Sequence, residues 1–259
     1  MSVRIEKQGR VWTVIHSRPE AKNAVDPETA GALEQAFRTF DADPEASVAV
    51  FWGEGGAFCA GFDLKRAAQG TDTETLAFDG AESHGPMGPT RLLLDKPVIA
   101  AVAGPAVAGG FELALWCDLR VMEESAYFGV YCRRWGVPLI DGGTVRLPRI
   151  VGRGRALDLI LTGRKVTAEE ALRIGLCEHV VPEGESRGRA EALAHEIARF
   201  PQICMRADRR SVYLQEGLPL EAALRGEWNN SIPALAAEGR AGAARFASGK
   251  GRGGNFGDI

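Results

Sequence analysis

A glutamate, Glu112, stands in the first turn of a predicted helix, directly after the glycine pair Gly109-Gly110. The apolar run over residues 97–103 predicts a buried strand that leads into this turn. The first amides of a helix have no partner within the helix, and the helix dipole makes that end positive. Two glycines also let a ligand approach the backbone closely. The corner is therefore suited to hold a negatively charged oxygen beside a carboxylate that can move a proton.

A second glycine corner precedes the first by almost fifty residues. The segment Ala60-Gly61-Phe62-Asp63 leads from an apolar stretch into another predicted helix. By itself this pattern is also typical of a plain helix N-terminus with Asp63 as its cap. Glu112 has a similar structural alternative, because a carboxylate in the first turn stabilises a helix by about 0.3–1 kcal/mol. The apolar sequence around Glu112 favours a catalytic role over that alternative.

A second carboxylate, Asp141, lies in a loop over residues 132–144, immediately before Gly142-Gly143. A further helix is predicted to begin at this glycine pair. Asp141 would serve either as a second acid or base or as the N-cap of that helix, which is a common use of aspartate. The sequence favours neither alternative.

The elements that must position these residues alternate between strands and helices. A hairpin is predicted first, and a helix over residues 27–41 begins with the N-cap Asp26 and with Pro27. Strands follow over 47–52, 97–103, 119–122 and 126–128, and alternation of this kind favours a parallel α/β sheet. Helical patterns dominate beyond residue 144, with a strand only at 178–181. We expect an α/β core over residues 1–200 and a helical region over 201–259.

Composition excludes several classes of function. The 259 residues are 45% hydrophobic and carry a net charge of -3, which argues against a nucleic-acid surface. No apolar run approaches the roughly 20 residues that span a membrane. The cysteines form no metal or disulfide pattern, which favours a reducing cytoplasm and no metal; they are Cys59, Cys117, Cys132, Cys177 and Cys204.

Taken in order, the motifs resemble those of the crotonase superfamily, the enoyl-CoA hydratase/isomerase family. The matching segments cover most of the chain; they are residues 18–24, 57–64, 108–114, 141–149, 161–164 and 171–181. The resemblance implies a spiral of ββα units with a helical C-terminal trimerisation region. It also implies a homotrimer or a dimer of trimers in the cytoplasm.

The same resemblance implies the chemistry. The backbone amides of Phe62 and Gly109 would bind the thioester oxygen of an acyl-CoA and stabilise the enolate, with Glu112 as acid or base. No cofactor is implied beyond the coenzyme A of the substrate. Residues expected to contact the substrate are Lys22, Ala60, Gly61, Asp63, Leu64, Lys65, Gly110, Cys132 and Trp135.

One position departs from the family pattern. Hydratases of the family carry a second glutamate where this chain has Cys132, and Tyr131 replaces the proline before it. A cysteine is a poor proton donor in place of a carboxylic acid, so Asp141 or His84 is a candidate for the missing role. His84 lies in an irregular Gly- and Pro-rich stretch and is more typical of a surface histidine. Trp135 is expected in the acyl pocket, in the trimer interface or, preferentially, in the core.

The predicted function is therefore an acyl-CoA enzyme of fatty acid metabolism that works through a stabilised enolate. Double-bond isomerisation needs only Glu112, whereas hydration or dehydration would use Glu112 and Asp141. The alternatives are a catalytically impaired acyl-CoA-binding homologue, or a hydrolase or dehalogenase-like enzyme with Asp141 as nucleophile.

Overall fold

Two sheets and ten helices make up the computed structural model, which describes residues 2–70, 78, 84–254 and 257. Much of the irregular stretch predicted before residue 89 lies outside the described residues. The strands are β1 (Val3–Gln8), β2 (Val11–His16), β3 (Val48–Gly53), β4 (Val98–Val102), β5 (Pro105–Val107), β6 (Leu119–Glu123), β7 (Tyr127–Gly129), β8 (Val166–Thr167) and β9 (His179–Val181). The helices are α1 (Pro27–Ala42), α2 (Leu64–Ala67), α3 (Gly109–Trp116), α4 (Gly143–Val151), α5 (Arg153–Thr162), α6 (Ala168–Arg173), α7 (Ser186–Ala198), α8 (Gln202–Leu214), α9 (Leu220–Ala234) and α10 (Arg240–Ala247).

The larger sheet has six strands in the order β1-β2-β3-β4-β6-β9. The β1–β2 hairpin is antiparallel and the remaining pairs are parallel, as the alternation of strands and helices predicted. Alternate residues of each strand point to opposite faces. Val50 and Ile99 pack under α7, whereas Phe51 and Ala100 belong to the main core under α1 and α3. Both faces are covered, which explains the near-continuous apolar strands.

The smaller sheet brings the two glycine corners together. Its strands are in the order β5-β7-β8, and Cys59 forms a further parallel bridge with Ala106 of β5. Phe62 follows Cys59 by three residues, and Gly109 follows Ala106 by three residues. Because parallel strands advance together, both corners reach the same edge of this sheet.

Local signals account for the ends of the main helices. The Asp26 carboxylate accepts a hydrogen bond from the Thr29 amide and caps α1, and Pro27 is the first helical residue. At the C-terminal end of α3, the Arg120 guanidinium donates to the carbonyls of Ala114 and Cys117. The predicted α1 and its cap are confirmed.

Two short strands were not predicted from the sequence. Residues 105–107 form β5, and Val166–Thr167 forms β8. Both are too short to show a period of their own, and pairing across the smaller sheet creates them. The helical pattern toward the C-terminus is confirmed: α9 and α10 are joined without a break by a π-helical turn, Leu235–Gly239, which follows Pro233, a residue with no N–H to donate. A division of the chain at residue 200 stays a prediction.

Among the described residues, no helix is long and apolar enough to cross a bilayer.

Candidate active site

A cavity of about 110 Å³ lies where the two glycine corners meet. Its walls come from the end of β5, the first turn of α3, the segment before α2 and the loop before α4. The lining residues are Ala60, Phe62, Leu64, Pro86, Met87, Ala108, Gly109, Glu112, Tyr131, Cys132, Trp135, Val137, Pro138, Ile140 and Asp141. Both predicted catalytic carboxylates and both predicted oxyanion residues therefore line one cavity.

The backbone amides of Phe62 and Gly109 are available to a ligand. Within the described part of the chain, neither amide donates a hydrogen bond to another backbone group. Gly61, in the second corner, has φ +95°, and a Cβ there would lie 3.1 Å from the Gly109 nitrogen of the first corner. A glycine at position 61 thus permits both the backbone turn and the close approach of the corners.

Glu112 is 3% exposed, and its Oε1 accepts hydrogen bonds from two amides of the loop before α4. The donors are the amides of Asp141, at 2.9 Å, and Gly143, at 2.8 Å. No described residue donates to Oε2. Burial and the nearby Asp141 carboxylate raise the pKa of Glu112 to about 7. At neutral pH this group is therefore able both to give and to take a proton.

Asp141 is also 3% exposed, and its carboxylate is anchored rather than free. Its Oδ1 accepts hydrogen bonds from the Met87 amide, at 3.1 Å, and from the Thr90 hydroxyl. Burial raises the pKa of Asp141, although the Thr90 hydrogen bond opposes that effect. The N-cap alternative is wrong, because Gly142 occupies the N-cap of α4 and the Asp141 side chain faces the other way, toward the Met87–Thr90 segment.

Cys132 and Trp135 lie on the wall opposite α2. Burial and the neighbouring Glu112 raise the pKa of the Cys132 thiol, so this group is protonated at neutral pH and is a poor nucleophile. Trp135 is 68% exposed at the cavity rim, and the prediction that it packs in the core was wrong. It is the last residue of a 3-10 turn, Tyr131–Trp135.

Of the predicted substrate contacts, Ala60, Leu64, Cys132 and Trp135 line the cavity. The Lys22 carbonyl accepts from the Ala60 amide, so Lys22 and its exposed side chain flank the second corner. Lys65 is exposed one residue beyond Leu64. Their binding roles stay predictions.

Asp63 and Gly110 have structural contacts, and their predicted roles in substrate binding stay predictions. The Asp63 carboxylate caps α2 through the amides of Lys65 and Arg66 and forms an ion pair with Arg18 at 3.2 Å. A Cβ at Gly110 would lie 2.1 Å from the Cys59 carbonyl oxygen, so Gly110 allows α3 to pack against the second corner.

His84 lies away from the cavity. Its ring is exposed, and Nδ1 contacts the Glu34 carboxylate of α1. The interpretation of His84 as a surface histidine is therefore confirmed.

Sequence reasoning missed the residues that hold Asp141. Met87 and Thr90 precede it by about fifty positions, and the Arg146 guanidinium binds the Asp141 carbonyl at 2.9 Å. No local pattern marks Met87 and Thr90, because their contacts with Asp141 form only when two distant segments meet. Within the described ranges, no group of three His, Cys, Asp or Glu side chains could hold a metal ion.

Comparison with known proteins agrees with this geometry. The sequence profile of the enoyl-CoA hydratase/isomerase family matches residues 6–247. Enoyl-CoA hydratase EchA19 of Mycobacterium tuberculosis is 40% identical over 225 residues, covering 85% of this chain and 84% of that protein. Carnitinyl-CoA dehydratase of Salmonella paratyphi A is 36% identical over 226 residues, covering 86% and 85%.

Solved structures extend the similarity to the fold. Enoyl-CoA hydratase EchA1 of Mycobacterium marinum superposes with a TM-score of 0.89 at 33% identity, covering 95% of this chain and 96% of that one. The mixed α/β core with its C-terminal helices is therefore the crotonase fold that the motifs predicted. The chain belongs to the enoyl-CoA hydratase/isomerase family of the crotonase superfamily and is an enzyme that acts on acyl-CoA.

Proposed function

We propose that this enzyme adds water to a 2-enoyl-CoA, or removes it from the 3-hydroxyacyl-CoA, by means of Glu112 and Asp141. The observation that carries the proposal is that two buried carboxylates and two unoccupied amides line one small cavity. The similarity to an enoyl-CoA hydratase and a carnitinyl-CoA dehydratase supports the same class of reaction.

The two carboxylates are suited to share one proton. Each is buried, and the charge of Asp141 raises the pKa of Glu112. Two neighbouring carboxylates do not both ionise easily, so one is held protonated while the other is a base. Hydration needs this combination, because one group activates water while the other supplies a proton to carbon.

In the hydration direction, Asp141 accepts a proton from water while the water oxygen bonds to C3 of the acyl group. The electrons of the C2–C3 double bond move toward the thioester, and the enolate oxygen accepts hydrogen bonds from the amides of Phe62 and Gly109. Glu112, whose raised pKa makes it the more readily protonated carboxyl group of the pair, then gives its proton to C2, and the carbonyl re-forms. Proton exchange between the carboxylates and solvent restores the starting state. Each oxyanion amide is expected to contribute about 3–4 kcal/mol to the transition state.

Double-bond isomerisation is a second candidate, and Cys132 at the position of the second hydratase glutamate favours it. Glu112 alone would remove a proton from C2 of a 3-enoyl-CoA and return it to C4. Asp141 would then be a structural neighbour that raises the pKa of Glu112.

The test compares Glu112→Gln and Asp141→Asn in assays with crotonyl-CoA and a 3-enoyl-CoA. For hydration, both variants are expected to lose about 10²–10⁴-fold in kcat. For isomerisation, only Glu112→Gln would lose that much. The matched control is His84→Gln, which changes an ionisable side chain outside the cavity and is expected to turn over normally.

Other outcomes reject the proposal in favour of a named alternative. Tight binding of acyl-CoA esters without turnover would indicate a binding protein. Release of free coenzyme A, with label from H₂¹⁸O in the carboxylic acid, would instead indicate thioester hydrolysis.

The remaining expectations concern assembly and context. Exposed apolar side chains on the C-terminal helices support self-association into trimers or dimers of trimers; they include Ile203, Val212, Leu220, Leu224, Trp228, Leu235 and Phe246. Light scattering after size exclusion would measure the mass directly. We also propose a cytoplasmic enzyme of fatty acid metabolism that requires no cofactor beyond the coenzyme A of its substrate and binds neither nucleic acid nor membranes.

A further inference from the structure

Arg146, in the first half of α4, has an unusual set of partners. Its Nη1 donates to the Asp141 carbonyl at 2.9 Å, and its Nη2 donates to the Thr90 carbonyl at 2.6 Å. Among the described residues, no carboxylate forms a direct ion pair with this guanidinium. A half-buried arginine whose hydrogen bonds go to two backbone carbonyls acts as a clamp between two chain segments.

One of the two clamped segments carries Asp141, and both segments supply hydrogen-bond donors to the carboxylate pair. The Asp141 amide donates to Glu112 Oε1 at 2.9 Å, and the Thr90 hydroxyl donates to Asp141 Oδ1. Movement of either segment would therefore shift a donor away from one of the two carboxylates. The guanidinium restrains both donors without itself lining the catalytic cavity.

Gly142 provides a second observation, which shows how closely the Arg146 guanidinium packs against the loop before α4. It has φ +95°, and a Cβ at this position would lie only 2.1 Å from Nη1 of Arg146. Any other residue would displace the guanidinium or the loop. The glycine and the arginine are thus mutually adapted.

The charge of Arg146 acts on the same pair. It opposes the rise of the pKa of both Glu112 and Asp141 that burial causes. The charged or titratable groups that act on the pair and on Arg146 are Cys132 beside Glu112, Arg91 beside Asp141, and Cys117 and Tyr213 beside Arg146.

We propose that Arg146 is a positioning residue that orients the Glu112–Asp141 pair by holding the Asp141 and Thr90 carbonyls, without touching the substrate. This inference rests on the proposed function, in which that pair transfers the protons. It differs from a purely structural role because it ties the geometry and the charge of the pair to one side chain.

The test uses Arg146→Met, Arg146→Lys and Gly142→Ala in the full chain, with crotonyl-CoA as substrate. Arg146→Met is expected to lower kcat about 10–100-fold with little change in KM, because the reacting groups shift while the binding surface remains. Its kcat–pH profile should move upward by about one pH unit, because a cation that favours ionisation has been removed. Gly142→Ala should lower kcat without moving the profile, since the charge remains. Arg146→Lys should keep the profile and recover part of the rate.

The matched control is Arg149→Met, one turn later in α4, where the guanidinium is exposed and paired with Glu216. Equal rates and equal pH profiles for Arg146→Met and Arg149→Met would overturn the proposal. If Arg146→Met does not fold, Arg146→Lys and Gly142→Ala decide: unchanged kcat in both rejects the clamp.

A readout without turnover separates this inference from the proposed function. Carbon-13 NMR of labelled glutamate, assigned with Glu112→Gln, reports the titration of Glu112 directly. If no acyl-CoA is turned over, the proposed reaction fails, yet an upward shift of this titration in Arg146→Met still supports the influence of Arg146. An unchanged titration rejects it.

Discussion

The two ends of α3 differ in how their buried charged side chains are paired. At the C-terminal end, Arg120 forms an ion pair with Glu178 at 2.7 Å and also binds the carbonyls of Cys117 and Leu176. At the N-terminal end, the hydrogen bonds that Glu112 accepts from described residues all come from backbone amides, and Arg146, whose charge acts on Glu112, binds carbonyls instead of the carboxylate.

The difference separates a charged group that stabilises the fold from one whose ionisation costs stability. A paired, hydrogen-bonded ion keeps its charge, whereas a buried carboxylate without a cation in contact has a pKa displaced toward neutrality. The raised pKa of Glu112 means that its ionised form is less stable in the folded protein than in water. The C-terminal end of α3 therefore stabilises the fold, whereas ionisation of Glu112 at the N-terminal end costs stability.

Removal of the Arg120 guanidinium at the C-terminal end of α3 should have the largest effect on stability. Arg120→Met leaves Glu178 and several carbonyls without their partner, and we expect a loss of about 3–5 kcal/mol in the free energy of unfolding. Urea denaturation measures this loss, and activity per folded molecule should change little. A loss below about 1 kcal/mol would contradict the comparison.

Replacement of Glu112, at the N-terminal end of α3, by a neutral side chain should instead stabilise the protein. Because the folded-state pKa of Glu112 is above its unfolded value, the native state binds more protons between about pH 4.5 and 7, and stability falls as pH rises through that window. Glu112→Gln removes this loss, so its advantage over the wild type should grow by about 2–3 kcal/mol between pH 5 and pH 8. Urea denaturation at both pH values tests the sign, and an advantage that shrinks as pH rises would reject the assignment.

His16 sharpens the comparison, because it is a buried ionisable group that faces no substrate cavity. Both of its ring nitrogens are buried without a partner among the described residues, and burial lowers its pKa to about 4. The unfolded state therefore binds more protons between about pH 4 and 6.5, and stability is lost as pH falls through that window. His16→Leu should recover about 2 kcal/mol at pH 5 relative to pH 8. His195→Leu, at an exposed position of α7, is the matched control.

The smallest effect on stability is expected at Tyr213, in the hydrogen-bond network just beyond the C-terminal end of α3. The Tyr213 hydroxyl donates to Asp118 Oδ1 at 2.7 Å, beside the Arg209–Asp118 ion pair at the same distance. Tyr213→Phe should cost about 1 kcal/mol, because one hydrogen bond is lost while Arg209 still binds the carboxylate. Thermal unfolding measures the change, and normal kcat would confirm that this network lies outside the reaction.

Much of the site was predictable from sequence because its backbone parts are local. The strand before Gly109, the glycine pair and the glutamate in the first turn form one continuous signal, and the second corner has its own glycine. The order of these motifs identified the family. The cap of α1 and the parallel sheet were equally readable, because each depends on neighbouring residues.

The carboxylate pair was only half predictable. Asp141 was open to two interpretations, because an aspartate before two glycines suits an N-cap as well as an active site. The orientation of its side chain toward Met87 and Thr90, which lie about fifty positions away, excluded the N-cap, and the catalytic role of Asp141 stays a prediction. Trp135 was misassigned for a related reason: an aromatic residue favours burial, but this one is exposed at the cavity rim.

The sequence by itself determined the two amide-bearing corners, the glutamate beside one of them and the family to which the chain belongs. Only the tertiary structure decided that Asp141 joins Glu112, that His84 does not, and that Arg146 holds both segments. The physical reason is that a turn or a helix start is encoded within a few residues. The protonation and orientation of a buried carboxylate depend instead on every group that surrounds it, whatever its place in the chain.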